Sequence, residues 1–158
     1  MKMFKHALGL LLASTLATLP FAGFADENTT GHAALTEPVK SALDHYLSIQ
    51  ADLAKDSIQG LDAEANVIAK LAGGDEMKAP EIAKEAETLA QARDLATARE
   101  AFKPLSASLI KYLAGHKISG SYHEAYCPMV NASWLQTGLN VRNPYLGSQM
   151  LTCGELKN

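Results

Sequence analysis

The sequence predicts an all-α protein, a small up-down bundle of three or four helices carrying a loop-rich C-terminal cap. Three observations point there. From Ala34 to Lys117 the chain is rich in Ala, Leu, Glu, Lys and Gln and poor in β-branched and aromatic residues, which is the composition of helices. Its apolar residues recur at steps of three and four, the spacing that puts them on one helix face. After Gly115 the character changes. Tyr122, Tyr126, Trp134 and Tyr145 come with two prolines, four glycines and several Asn and Ser, so residues 118–158 read as an irregular cap on a bundle of residues 34–117.

Ahead of the bundle, residues 1–25 read as a signal peptide. Lys2 and Lys5 precede an apolar run from Ala7 to Phe24, and Gly23-Phe24-Ala25 ends in the small-x-small pattern of a cleavage site after Ala25. The run is short of a full membrane span, and no later segment is apolar enough to cross a bilayer. The expectation is one domain over residues 26–158, periplasmic or secreted, with no membrane attachment after cleavage.

In the first helix, Leu35, Val39, Ala42, Leu43, Tyr46, Ile49 and Leu53 make one stripe within Leu35 to Ile58, with Thr36 and Pro38 near its start and Gly60 as its stop. A second helix runs from Asp62 to Ala72 over Ala65, Ile68 and Leu71. Gly73-Gly74 ends it by supplying a left-handed residue. Pro80 opens the third, with Glu81 favourably placed against the helix dipole. Its stripe of Ile82, Ala86, Leu89, Ala92 and Ala96 continues into Phe102, Leu105, Leu109 and Tyr112. Pro104 interrupts that run, because it lacks an amide and crowds the carbonyl of Glu100, so a break or kink is expected near Phe102 to Pro104.

Composition excludes several functions. The chain has a formal net charge of −3, and losing Lys2 and Lys5 with the leader leaves −5, which argues against nucleic acid and anionic membranes as partners. No nucleophile elbow, H-E-x-x-H motif, phosphate loop or C-x-x-C-H haem motif is present, so the chain does not read as an enzyme. What remains is sulfur. Cys127-Pro128-Met129 and Met150-Leu151-Thr152-Cys153 hold both cysteines and two of the three methionines beyond the leader.

The residues around these pairs carry a resemblance. Ala101-Phe102-Lys103-Pro104-Leu105-Ser106, Tyr126-Cys127-Pro128-Met129, Trp134-Leu135-Gln136, Arg142-Asn143-Pro144-Tyr145, Gly147 and Met150-Leu151-Thr152-Cys153-Gly154 occur in that order. Together they resemble an uncharacterised bacterial family of exported domains, known as domain of unknown function 3347. Members occur alone or at the C-terminus of the periplasmic adaptor subunits of copper and silver efflux pumps. The likeness spans Ala34 to Leu156. It departs in one place: only Val130 to Ser133 separate the C-P-M run from the tryptophan, where many relatives carry extra residues with glycine. The resemblance implies a periplasmic role beside an efflux adaptor or another envelope protein.

The residue chemistry allows two readings. Cu(I) and Ag(I) prefer thiolate and thioether sulfur at low coordination number and accept imidazole as a further ligand. Cys127, Met129, Met150 and Cys153 suit them, with His123 as a fifth candidate and Trp134 or a tyrosine as an aromatic shield. The alternative is a disulfide-stapled helical interaction module without metal. Two cysteines in an exported chain commonly pair, and closing this loop stabilises by roughly 3 kcal/mol. Met129 and Met150 are then core filler or pack on the aromatics. A reversible disulfide could also be the metal-free state.

Other candidates are structural. His45 reads as a boundary residue of the first helix, His116 as a helix-end residue, and His32 as part of the N-terminal stretch. Arg142-Asn143-Pro144-Tyr145 reads as a turn, with Arg142 satisfying carbonyls or a carboxylate such as Glu124 and with Trp134 and Tyr145 packing the cap.

Overall fold

A computed structural model describes residues 32–157. The expected leader and its cleavage site after Ala25 lie outside the described residues. The helices are α1 (Val39–Leu53), α2 (Leu61–Gly73), α3 (Pro80–Ala90) and α4 (Leu95–Gly115). The strands are β1 (Ala33–Ala34), β2 (Ile118–Ser119), β3 (His123–Cys127), β4 (Ala132–Gln136) and β5 (Glu155–Leu156), with a 3-10 turn over Gly147–Gln149. Strands β1 and β2 form a short parallel pair, and β4-β3-β5 form an antiparallel sheet. The expectation of an all-α fold is therefore wrong: the protein is mostly helical but mixed, with four helices and two small sheets among the described residues. None of the described helices is long and apolar enough to cross a membrane.

The helix stripes match in part: Leu35 lies ahead of α1, Leu71 and Tyr112 are half-buried, and Ala96 is exposed in the first turn of α4, which buries Ala98 and Leu113 instead. In α1 the buried side chains are Val39, Ala42, Leu43, Tyr46, Ile49, Gln50 and Leu53. The helix stops at Leu53 instead of continuing to Ile58, because Asp56 takes a left-handed conformation (φ 60) and the amides of Lys55 and Ser57 both turn back to the Asp52 carbonyl. Gly60, read as the stop of the first helix, is the residue before α2 and is itself left-handed (φ 75). At the far end of α2, Gly74 is extended (φ −73, ψ 163), so the expected left-handed glycine stop is absent there. The left-handed residue is Lys78 (φ 49), in the turn whose amides at Lys78 and Ala79 reach the carbonyls of Gly74 and Ala72.

The break between the last two helices also lies elsewhere. It falls at Gln91 to Asp94, and Pro104 sits inside α4. Asp94 is a full N-cap: its carboxylate accepts both the amide (2.8 Å) and the hydroxyl (2.8 Å) of Thr97. Arg93 donates to the carbonyls of Ala90 and Ala92 and so closes the end of α3. Pro104 and Glu100 are both on the exposed face of α4, where water can take the bond that the proline cannot make.

Helix α2 packs between α1 and α3, and α3 packs on α4. Strand β4 lies across α4 and α1, so the cap sheet covers one side of the bundle. A row of rings joins the two layers. Tyr46 stacks on Phe102 (4.8 Å between centroids), Phe102 meets Tyr145 (6.1 Å), and Tyr145 meets the edge of Trp134 (5.8 Å). The buried Tyr46 hydroxyl bonds Ser106 (2.7 Å) and accepts the Leu135 amide of β4 (3.1 Å).

Candidate functional site

The sheet brings the two cysteines together from positions 26 residues apart. In the β3–β4 hairpin, Ala125 faces Trp134 and Cys127 faces Ala132, with a four-residue connection closed by Asn131 in a left-handed conformation (φ 48). On the other side of β3, Tyr126 pairs with Glu155 and Ala125 with Leu156. Cys127 therefore ends one strand just where Cys153 leads into the next. Their sulfurs are 2.8 Å apart and unbonded.

Gly154 makes this approach possible. Its φ is +129, and a Cβ there would lie 2.7 Å from the Tyr126 carbonyl oxygen and 3.0 Å from the Trp134 ring. Only a residue without a side chain lets the Cys153 segment lie flat on the end of β3. Asn143, fully buried, fixes the same segment from behind. Its amide donates to the Cys153 carbonyl (2.7 Å), its side-chain oxygen accepts the amides of Tyr145 (2.8 Å) and Leu146 (3.1 Å), and its own amide reaches the Leu151 carbonyl (2.7 Å).

The two thiols are chemically unequal. Cys127 is completely buried and Cys153 is partly exposed. Burial alone would push the Cys127 thiol up. Hydrogen bonds from the Cys153 thiol, the Val130 and Met129 amides and the Asn143 side chain outweigh it and bring Cys127 below the ordinary cysteine value. Cys153 is pushed up, first by its hydrogen bond to the Cys127 sulfur, then by partial burial and by repulsion from Cys127 when that sulfur is ionised.

The methionines stand beside this pair through backbone contacts. Met129 follows Cys127 by two residues, and the Cys153 amide donates to the Met150 carbonyl (3.0 Å). Both side chains are exposed, Met129 by 62% and Met150 by 42%. They are not core filler. His123 is far from the sulfurs: four residues of extended strand carry it about 13 Å from Cys127, which removes it from any shared ligand set. Among the described residues no three His, Cys, Asp or Glu side chains converge on one point, so a metal held here would complete its shell with thioethers.

Trp134 and Tyr145 are buried against each other, with the Trp134 ring beside Gly154. The Trp134 indole donates to the Gln136 side-chain oxygen (3.0 Å), and the Tyr145 hydroxyl donates to the Ser133 carbonyl (2.7 Å). Arg142 does not reach Glu124, which is paired with Lys157 (2.6 Å). Arg142 is exposed and serves through its backbone, its amide bonding Gln136 and its carbonyl accepting from Gln50 (2.6 Å).

The arginine that anchors the cap is Arg99, on α4. It donates to the carbonyls of Pro144 (2.8 Å) and Leu53 (3.0 Å) and to the Asp56 carboxylate (2.5 Å), while Asp56 also accepts the amide and hydroxyl of Ser148. A Cβ at Gly147 would collide with both partners of this ion pair. Asp56 and Arg99 lie in the bundle half of the sequence, which is why a reading focused on the sulfur-rich tail missed them.

A surface groove of about 690 Å³ lies away from the sulfurs, between the start of α3 and the end of α4. There His116 stacks on Tyr112 (4.1 Å). His45, on the far side, is paired with Glu64. No protein-family model, curated protein or solved structure matches the chain.

Proposed function

We propose that the reduced domain binds a soft monovalent ion, Cu(I) or Ag(I), through Cys127 and Cys153, with Met129 and Met150 as thioether ligands. It buffers such ions in the periplasm, or passes them to an efflux adaptor or another envelope protein, and performs no catalysis on them. The observation that carries the reading is the exposure of two methionines beside an adjacent cysteine pair, Met129 two residues from Cys127 and Met150 with its carbonyl bonded by the Cys153 amide. Large apolar side chains left in water without a packing role point to a ligand or partner. The chemistry agrees, since hydrogen bonds that favour thiolate at Cys127 also favour a soft cation there. The resemblance to domains fused to copper and silver efflux adaptors supplies the physiological setting.

The test is a Cu(I) titration of the reduced domain against a competing Cu(I) chelator. Wild type takes one equivalent, the Met129→Leu/Met150→Leu variant binds more weakly, and Cys127→Ser/Cys153→Ser does not compete. Equal binding by wild type and the double cysteine variant ends the proposal.

One observation favours a second reading, the disulfide staple. Sulfurs 2.8 Å apart are closer than two ligands of one ion, which stand well over 3 Å apart when each is about 2.3 Å from the metal, as at zinc. This reading predicts no titratable thiol in protein recovered from an oxidising compartment. It also predicts a fall in melting temperature on reduction that neither Cu(I) nor Ag(I) restores.

A further inference from the structure

We propose that the cysteine pair is a directional thiol–disulfide exchange site, in which Cys153 is the sulfur that meets external thiols and disulfides and Cys127 is the resolving sulfur. The proposal rests on the dithiol and stands whether or not the pair also binds metal.

The geometry separates the two roles. Exchange proceeds by a thiolate attacking one sulfur of a disulfide, so the sulfur that is reached from outside decides which bond forms first. Cys127 has no exposed surface. Ala132 pairs with it across the hairpin, and the Gly154 backbone crosses the end of its strand against the Trp134 ring. Cys153 is partly exposed and touches Cys127 at 2.8 Å. An external reagent therefore meets Cys153 first, and Cys127 reaches only Cys153.

The steps balance with a small disulfide RSSR as oxidant. The Cys153 thiolate attacks one sulfur of RSSR, the S–S bond breaks, and one RS⁻ leaves. The Cys127 thiolate then attacks the Cys153 sulfur, the mixed disulfide breaks, and a second RS⁻ leaves. The two protons lost by the protein thiols convert the two leaving groups into RSH. In reverse, a small thiolate attacks Cys153 of the protein disulfide and the electron pair of the broken bond goes to Cys127; a second thiolate then attacks the RS sulfur of the mixed disulfide, RSSR leaves, and Cys153 is released as thiolate. Two electrons pass in each direction, and the partner class is a low-molecular-weight thiol or an exposed protein dithiol.

The experiment uses metal-free reduced protein and oxidised glutathione, followed by mass spectrometry. Cys127→Ser accumulates one glutathione adduct on Cys153. Cys153→Ser reacts slower by on the order of 100-fold while folded and reacts normally in denaturant. Wild type releases two glutathiones per chain and ends as an intramolecular disulfide. Because either substitution could perturb folding, the wild-type reaction is also stopped by acid at early times and digested, and glutathione is found on the Cys153 peptide and not on the Cys127 peptide. Early adducts on Cys127, or a folded Cys153→Ser that reacts as fast as Cys127→Ser, overturn the assignment. Failure of the copper titration leaves these outcomes unaffected, so the two proposals fail separately.

Discussion

Replacing Gly154 with alanine tests how the cysteine pair is assembled. At φ +129 a residue with a side chain carries about 1–3 kcal/mol of backbone strain. The added methyl would also sit 2.7 Å from the Tyr126 carbonyl oxygen, an atom fixed in the sheet, and 3.0 Å from the Trp134 ring, which is packed on Tyr145. Relieving those overlaps costs about 1–3 kcal/mol more. Alanine recovers about 0.4–1 kcal/mol by stiffening the unfolded chain. The net is a loss of about 1–5 kcal/mol, and a value of about 3 kcal/mol lowers the melting temperature of a domain of this size by roughly 10 °C. The easiest relief is for the segment from Cys153 to Leu156 to lift from β3, which also separates the sulfurs. Calorimetry of reduced Gly154→Ala should show the fall in melting temperature. Disulfide formation with oxidised glutathione should stall at the mixed disulfide. A variant that melts within about 2 °C of wild type and still closes its disulfide would refute the view that this glycine seats one cysteine against the other.

Three further outcomes follow from the contacts between bundle and cap. Arg99 is 16% exposed and serves two main-chain carbonyls and a carboxylate, so Arg99→Ala should cost about 2–4 kcal/mol in urea unfolding, with Arg99→Lys recovering less than half; a loss under about 0.5 kcal/mol would show the clamp to be dispensable. The Asp56 carboxyl is held below its usual range, first by the Ser148 hydroxyl and then by Arg99, so its contribution is present above the unfolded carboxylate value and is lost as pH falls through the lower folded value. Urea midpoints of wild type and Asp56→Asn should converge as pH drops from about 5 to about 3, and a constant gap would count against the assignment. Tyr46→Phe removes a buried hydroxyl that serves Ser106 and the Leu135 amide, and should cost about 1–3 kcal/mol; near-wild-type stability would mean that the cap is not pinned there.

The helices were legible because their stripes are continuous and their stops are chemical. Ile82, Ala86 and Leu89, or Leu105 and Leu109, could face only one way. The misplaced break shows what outranked Pro104. Asp94 satisfies the Thr97 amide, Arg93 closes the preceding helix, and the proline loses a single bond on a wet face. The sheet was illegible for a different reason. Its strands are five residues or fewer, flanked by Gly, Pro, Asn and Ser that read as loop, and their alternation is blurred because Trp134, Leu135 and Gln136 are all buried. Consecutive burial arises because β4 is packed by α4 and α1 and also by the tail that carries Tyr145.

The site was legible as chemistry and not as architecture. Two Cys-Met pairs in opposite order stand out in any reading, and the one-turn spacing of Met150 and Cys153 is realised as a turn with its hydrogen bond in place. What spacing could not convey is which neighbours the strand direction keeps and which it removes. His123 is four residues from Cys127, close by a helical count and about 13 Å away in a strand. Cys153 is 26 residues away, yet the antiparallel return of β5 brings it into contact. The same return sets the inequality of the two sulfurs, since whichever cysteine ends the central strand is roofed by its neighbours, and the one entering the edge strand stays open. That inequality is a property of the sheet order β4-β3-β5, not of the Cys-Pro-Met or Met-x-x-Cys strings. Exposing Cys127 in place of Cys153 would require a different strand order, whereas changing Met129 or Met150 alters only what surrounds the pair.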